Sequence, residues 1–142
     1  MKTKVSGKIL IVEDHPIFRM GIKDMINSES DLSVCAEAED VEPALGLVAS
    51  CRPDLAIVDL SLKNSSGFDL VRQIHENYAF CRTLVLSMHD EALHAERCLL
   101  AGAKGYLMKQ EASESVVTAI RSILNGQVHV SSRIMSRLLN VF

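Results

Sequence analysis

Five short apolar runs punctuate the chain at intervals of roughly 20 to 30 residues: KILIVE at 8–13, LSVCAEA at 32–38, LAIVDL at 55–60, TLVLSM at 83–88 and GYLMK at 105–109. Within ILIV, LAIV and LVL the apolar residues are consecutive, whereas a half-exposed strand would alternate with polar residues. Runs this short have the length of a strand that is covered on both faces. Between them the apolar residues return at helical spacing. Phe18, Ile22, Met25 and Ile26 share one face, as do Val41, Leu45 and Val48, then Phe68, Val71 and Ile74, then Ala92, Ala95 and Leu99. A fifth helix follows the last strand, with Val116, Ile120 and Ile123 inward. Strict alternation of strand and helix with short connections dictates a parallel sheet flanked by helices on both faces. The expected fold is α/β, a doubly wound five-stranded parallel sheet.

Punctuation supports these elements. Asp90 is the expected N-cap of the fourth helix, Ser66 to Asp69 spells a capping box for the third, and Gly102 and Gly126 fall where left-handed C-terminal caps belong. The segment VSSRIMSRLLNVF reads as a sixth, amphipathic helix with Ile134, Met135, Leu138, Leu139 and Phe142 on one face. Arg133, Ser136, Arg137 and Asn140 lie opposite, the arginines most simply as a solvated face. The apolar stripe runs to the final residue, so the helix packs back on the domain, pairs with a partner, or leads into a longer chain. The last option is favoured.

With 142 residues, 48% of them hydrophobic, the chain is large enough for one domain with its own core. A net charge of −3 without a basic block argues against autonomous nucleic-acid binding, so any DNA contact needs another segment. Cys35, Cys51, Cys81 and Cys98 form no CxxC pair and read as reduced, mostly buried thiols. His15, His75, His89, His94 and His129 are scattered and are not expected to bind metal. No apolar run approaches the roughly 20 residues needed to cross a bilayer. The N-terminal MKTKVSGKILIVEDHP becomes charged too early for a signal peptide. The expected compartment is the cytoplasm, with no membrane partner.

In parallel α/β sheets the loops at the carboxyl ends of the strands form the ligand crevice. The first strand ends in Glu13 and Asp14, the third in Asp59, the fourth in Ser87 and the fifth in Lys109. In the common order 2-1-3-4-5, strands one and three are neighbours, and the three carboxylates converge. At an effective dielectric of about 20, each close pair costs about 4 kcal/mol. A hard divalent cation removes the conflict, and Mg²⁺ suits a few oxygen ligands completed by water and a phosphate oxygen. Asp59 then has the surroundings of a phosphoryl-accepting nucleophile, with Lys109 and the Ser87 hydroxyl across the crevice to meet the transferred oxygens. Each residue also has a plainer reading: Asp14 as a helix cap, Lys109 as a strand-end lysine reaching for water, Ser87 as a turn residue. Their joint occurrence at corresponding strand ends favours the site.

EDHPIFRMGI, IVDLSLKNSSGFDL, LVLSMHDE and AGAKGYLMK together resemble the receiver domain of a bacterial two-component response regulator, over residues 8 to about 126. EDHP, SMHDE and GAKGYLMK are most similar to the NarL/FixJ branch, whose members usually carry a LuxR-type helix-turn-helix. The resemblance implies a flavodoxin-like receiver at residues 1–126, with 127–142 as the start of a linker helix toward a C-terminal domain absent from this chain. It also implies Asp59 as phosphoacceptor, Glu13 and Asp14 as the metal-binding acid pair, and the Ser61 backbone carbonyl as a further contact to Mg²⁺, for which Mn²⁺ can substitute. Lys109 and Ser87 would bind the phosphoryl group, and Ser87 with Tyr106 would form the hydroxyl and aromatic switch between two nearly balanced states. The implied partners are a sensor histidine kinase, DNA only through the absent domain, and optionally a second copy of the chain on phosphorylation.

The chain departs from many receivers at Leu62-Lys63-Asn64, at Met88, where bulk is expected to slow small donors and water, and at Gln110, which leaves the isomer of the Lys109–Gln110 peptide open. Three other readings stand beside this one. An aspartate-nucleophile phosphatase of haloacid-dehalogenase type wants Asp-x-Asp after the first strand, where this chain has Glu13-Asp14-His15. An FMN binder wants a Ser/Thr/Gly-rich loop there, which DHPIF lacks. A stand-alone receiver acting by protein contact shares every feature of the site.

Overall fold

The structure is a computed structural model that describes residues 7–88 and 92–141; His89, the expected cap Asp90, and Phe142 lie outside the described residues. Five strands alternate with five helices: β1 (Gly7–Val12), α1 (Pro16–Asn27), β2 (Leu32–Ala38), α2 (Val41–Cys51), β3 (Leu55–Asp59), α3 (Gly67–Asn77), β4 (Arg82–Ser87), α4 (Ala92–Leu100), β5 (Gly105–Met108) and α5 (Ala112–Leu124). A single 3₁₀ turn, Lys109–Glu111, joins β5 to α5, and α6 (Ser132–Val141) follows. The sheet is parallel throughout, in the order β2-β1-β3-β4-β5. All but β2 end one residue before the corresponding apolar run, so Glu13, Leu60, Met88 and Lys109 leave the ladder.

Continuous apolar runs are explained by burial on both faces. Ile9, Ile11, Ile57, Leu84 and Leu86 pack with Ile22, Ile26, Val116, Ile120 and Ile123 of α1 and α5. The intervening residues Leu10, Val12, Ala56, Val58 and Val85 face Val41, Val48, Val71, Ile74 and Ala95 on α2, α3 and α4. Cys98 is the buried residue of α4 that the periodicity missed. Burying each large aliphatic side chain is worth about 1.5–3 kcal/mol, so the layers are fixed mainly by apolar area.

Local signals set the helix ends. Pro16 opens α1, a position where its missing N–H costs nothing. Ser66 Oγ accepts from the Asp69 N–H at 3.2 Å, but the Asp69 carboxylate bonds Arg72 and Gln73 instead of returning to Ser66. The expected capping box is therefore half formed. After α4, Ala103 N–H donates to Cys98 O and Gly102 N–H to Leu99 O, with Gly102 at φ 115°. The same Schellman arrangement closes α5 through Gln127 and Gly126, the latter at φ 89°.

Beyond α5 the chain doubles back. His129 pairs with β5, its N–H donating to Lys104 O and its carbonyl accepting from Tyr106 N–H, both at 2.9 Å. This covers the outer edge of β5, an edge that would otherwise expose unpaired backbone groups. Helix α6 then packs against α4 through buried Ile134 and half-buried Leu138, while Met135 and Leu139 of the same stripe remain exposed. Packing back thus accounts for part of the stripe. Among the described residues no helix is long and apolar enough to cross a membrane. Cys81 and Cys98 are buried and Cys35 and Cys51 half-buried, none of them in a disulfide. Burial pushes the Cys81 thiol up to about 12 and the Cys98 thiol up to about 11.

Candidate functional site

The strands place the site by running out together. Val12 is registered with Val58, Asp59 with Leu86, and Ser87 with Met108, so the residues that end each strand gather at one mouth of the sheet. Asp59 is the last residue of β3 and fully buried. Its Oδ1 accepts from the Ser61 N–H at 2.9 Å and its Oδ2 from Lys109 Nζ at 3.1 Å. The backbone beside it is tightly packed. A Cβ on Gly67 would sit 2.2 Å from the Asp59 carbonyl oxygen and 2.9 Å from Leu60 Cα, so only glycine lets α3 start this close to the end of β3.

Glu13 leaves β1 toward β2, its N–H donating to Ala38 O at 3.0 Å, and its side chain is fully buried. Asp14 follows, with its Oδ2 accepting from the Lys63 N–H at 2.8 Å. The N-cap position of α1 belongs to His15, without a side-chain cap bond, so the capping alternative for Asp14 is not realised. Lys63, one of the departures noted in the sequence, ties its loop to the acid pair through its backbone.

Lys109 enters from the 3₁₀ turn after β5. Its ammonium hydrogen-bonds Glu13 Oε1 and Asp59 Oδ2, both at 3.1 Å, and lies 4.9 Å from the centre of the Phe18 ring. Glu13 Oε2 is equally close to Nζ as an ion pair but accepts no hydrogen bond. All described peptide bonds are trans, Lys109–Gln110 among them.

Sequence reasoning missed the contribution of His15. Its Nδ1 lies 2.7 Å from Glu13 Oε1, 3.3 Å from Asp14 Oδ1 and 3.5 Å from Lys109 Nζ, while its backbone N–H donates to Glu13 Oε1 at 3.1 Å. Of the scattered histidines, which were not expected to bind metal, His15 lies beside the acid cluster. The available signal was its place between Glu13-Asp14 and Pro16, because a proline at the first helical position leaves His15 extended and folds its ring back over the acids. Arg19 was missed as well. Its guanidinium donates to the Glu13 carbonyl at 2.6 Å and pairs with Glu37 and Glu39 on the far side.

Ser87 and Tyr106 are both buried. Ser87 and Ser61 line one cavity of about 330 Å³ with Ser66, Phe68, His94 and Arg97. Tyr106 belongs to the core cluster that also holds Ile134 of α6. On the other side of Lys109 a wider, mostly apolar cavity of about 630 Å³ is bounded by His15, Ile17, Phe18, Met88 and Gln110. Met88, the bulky departure, is an exposed wall of this cavity.

The charge balance states what the pocket lacks. Three carboxylates, Glu13, Asp14 and Asp59, face the single ammonium of Lys109. Glu13 Oε2 and Asp14 Oδ1 are buried without a hydrogen-bond partner, which is costly for polar oxygens out of water. Ligand atoms of Glu13, Asp14, His15 and Asp59 all fall within 4.8 Å of one another. Orphaned carboxylate oxygens gathered at this spacing fit a divalent cation.

Known proteins resemble the chain along most of its length. A family model described as the response regulator receiver domain matches residues 9–121. The "Oxygen regulatory protein NreC" of Staphylococcus epidermidis is 33% identical over 136 residues, covering 95% of this chain and 62% of that protein. The "Transcriptional regulatory protein DegU" of Brevibacillus brevis is 29% identical over 135 residues, covering 95% of this chain and 57% of the relative. The chain thus spans about three fifths of the length of these curated relatives. A two-component response regulator of the LuxR family from Aurantimonas superposes with a TM-score of 0.88 at 32% identity, covering 95% of this chain and 96% of the other. The isolated receiver domain of RcsB from Salmonella enterica, at 24% identity and a TM-score of 0.87, shares the fold.

Proposed function

The chain belongs to the response regulator receiver family, and on that premise we propose that Asp59 accepts a phosphoryl group from a phosphohistidine of a sensor kinase. The observation that carries this reading is a fully buried carboxylate at the sheet mouth, oriented at both oxygens by the Ser61 N–H and Lys109, with Glu13 and Asp14 beside it. Fixed orientation presents Asp59 as a nucleophile and spares it the cost of finding its angle. One carboxylate oxygen bonds to phosphorus as the donor's P–N bond breaks, leaving an acyl phosphate and a free imidazole.

Mg²⁺, for which Mn²⁺ can substitute, would be held by Glu13, Asp14, Asp59 and the Ser61 carbonyl and would supply positive charge to the phosphoryl oxygens. Lys109 leaves its ion pair with Asp59 to meet one of those oxygens, and the Ser87 hydroxyl donates to another. The Tyr106 ring then follows the hydroxyl. Because Tyr106 shares a core cluster with Ile134, the adjoining C-terminal segment is placed to feel that movement. Small acyl phosphates can stand in for the kinase, and the protein hydrolyses its own acyl phosphate slowly. Output runs through a DNA-binding domain beyond this chain to control transcription, in the cytoplasm.

Incubation with Mg²⁺ and acetyl phosphate tests the acceptor directly. The wild-type chain gains one phosphoryl group by intact-mass measurement and Asp59→Asn gains none; undiminished labelling of that variant would refute the assignment.

A further inference from the structure

We infer that the acid pocket has a second metal state, in which His15 joins Glu13, Asp14 and Asp59 around Zn²⁺ or a similar borderline transition ion and closes the phosphoryl-accepting site. The inference rests on reading the cluster as a metal pocket and goes beyond it in ligand set and consequence.

An all-oxygen pocket suits Mg²⁺, which keeps several waters and an open face for phosphate. This pocket is not all oxygen. The His15 imidazole is a donor that zinc favours and magnesium does not, and His15 is the histidine that stands in the cluster among the described residues. Its backbone is held there by the N–H bond to Glu13 and by Pro16, and its half-exposed ring already rests against Glu13 Oε1, so a short side-chain rotation brings Nδ1 to an ion. Asp14 Oδ1, buried and without a hydrogen-bond partner, points toward His15 Nδ1 from 3.3 Å. Glu13 Oε2 is a second buried oxygen without a hydrogen bond.

Spacing supports four-fold coordination. Metal–ligand bonds of about 2.0–2.2 Å place tetrahedral donors about 3.4 Å apart. The four donors here already lie within 4.8 Å of one another, and side-chain rotation that opens the 2.7 Å His15–Glu13 contact completes the change. A zinc site with four protein ligands has no open position, unlike a site that must admit substrate. Asp59 is a ligand in either state, but with His15 in the fourth position no place is left on the ion for a phosphoryl oxygen, and the new positive charge drives Lys109 away. The same residues that accept magnesium for phosphoryl transfer would therefore be locked by zinc.

The 142-residue chain is titrated with Zn²⁺, Co²⁺ and Mg²⁺ as wild type and as His15→Gln. The wild type develops the strong visible absorption of tetrahedral Co²⁺ with nitrogen and oxygen ligands, Zn²⁺ abolishes it, and the zinc-bound protein resists acetyl phosphate even in excess Mg²⁺. In His15→Gln the ratio of zinc to magnesium affinity falls at least about tenfold. An unchanged ratio overturns the inference. So does a cobalt spectrum dominated by thiolate charge transfer that persists in His15→Gln, because the ion would then sit on cysteines. The affinity ratio and the cobalt spectrum are independent of phosphoacceptor identity, which fails instead if Asp59→Asn is still labelled, and full labelling of the zinc-bound wild type would overturn the closing of the site.

Discussion

Leu55 to Val58 and the next residue, Asp59, are equally inaccessible to water, yet the two parts of β3 are held in opposite ways. The first four are fixed by apolar contact on both faces of the sheet, which has no preferred direction and tolerates exchange among side chains of similar volume. Asp59 is fixed atom by atom, through one backbone N–H and one ammonium. The difference extends across the sheet. Its middle is held through the ladder and its apolar layers, with the Thr83 hydroxyl of β4 as a buried oxygen that lacks a hydrogen bond, whereas its carboxyl edge buries two carboxylate oxygens without one. The middle is held by apolar area, and the edge gathers charged groups whose burial is only partly compensated.

Four changes separate the two regions, in decreasing order of effect. Lys109→Met leaves Glu13 and Asp59 buried without their shared cation, and urea unfolding in chelator should show a loss of about 3–5 kcal/mol. Added Mg²⁺ should restore part of it. Leu84→Ala removes a fully buried side chain from the middle of the sheet and should cost about 3 kcal/mol while leaving acetyl-phosphate labelling per folded molecule intact. Loss of labelling in that variant would show that the middle also tunes the edge.

The third change is alkaline pH. Burial raises the Cys81 thiol from near 9 to about 12. Below pH 9 the proton is bound in both states; between 9 and 12 the unfolded chain releases it and the folded chain retains it, so stability falls with rising pH. The slope from this group is at most about 1.4 kcal/mol per pH unit. Cys81→Ala should flatten it in unfolding measurements across that window. The smallest effect has the opposite sign. Asp59→Asn removes one of three crowded carboxylates and should raise the metal-free melting temperature slightly, by less than about 1 kcal/mol in free energy. The gain should vanish when Mg²⁺ stabilises the wild type.

The same contrast explains which parts of the molecule can be read in one dimension. Strands were legible because burial on both faces leaves an unbroken apolar run, and Glu13, Asp14, Asp59, Ser87 and Lys109 were legible because each stands where such a run stops. Other contributions depend on approach between distant segments. Nothing around Gly67 announces that α3 must pass against the Asp59 carbonyl, and the Lys63 N–H reaches Asp14 from 49 residues away. His15 was adjacent to the acids in sequence, but its ring position follows from the turn imposed by Pro16. The pairing of His129 with β5 was illegible for another reason: a single bridge leaves no periodicity to detect.

Borohydride reduction of the acetyl-phosphate-treated protein, followed by peptide sequencing, locates the phosphoryl group without any substitution, because an aspartyl phosphate is converted to homoserine. Residue 59 should be recovered as homoserine, in a yield that depends on Mg²⁺. Intact aspartate at 59, with homoserine at another carboxylate or a phosphate that resists reduction, would contradict the assignment of Asp59 as acceptor.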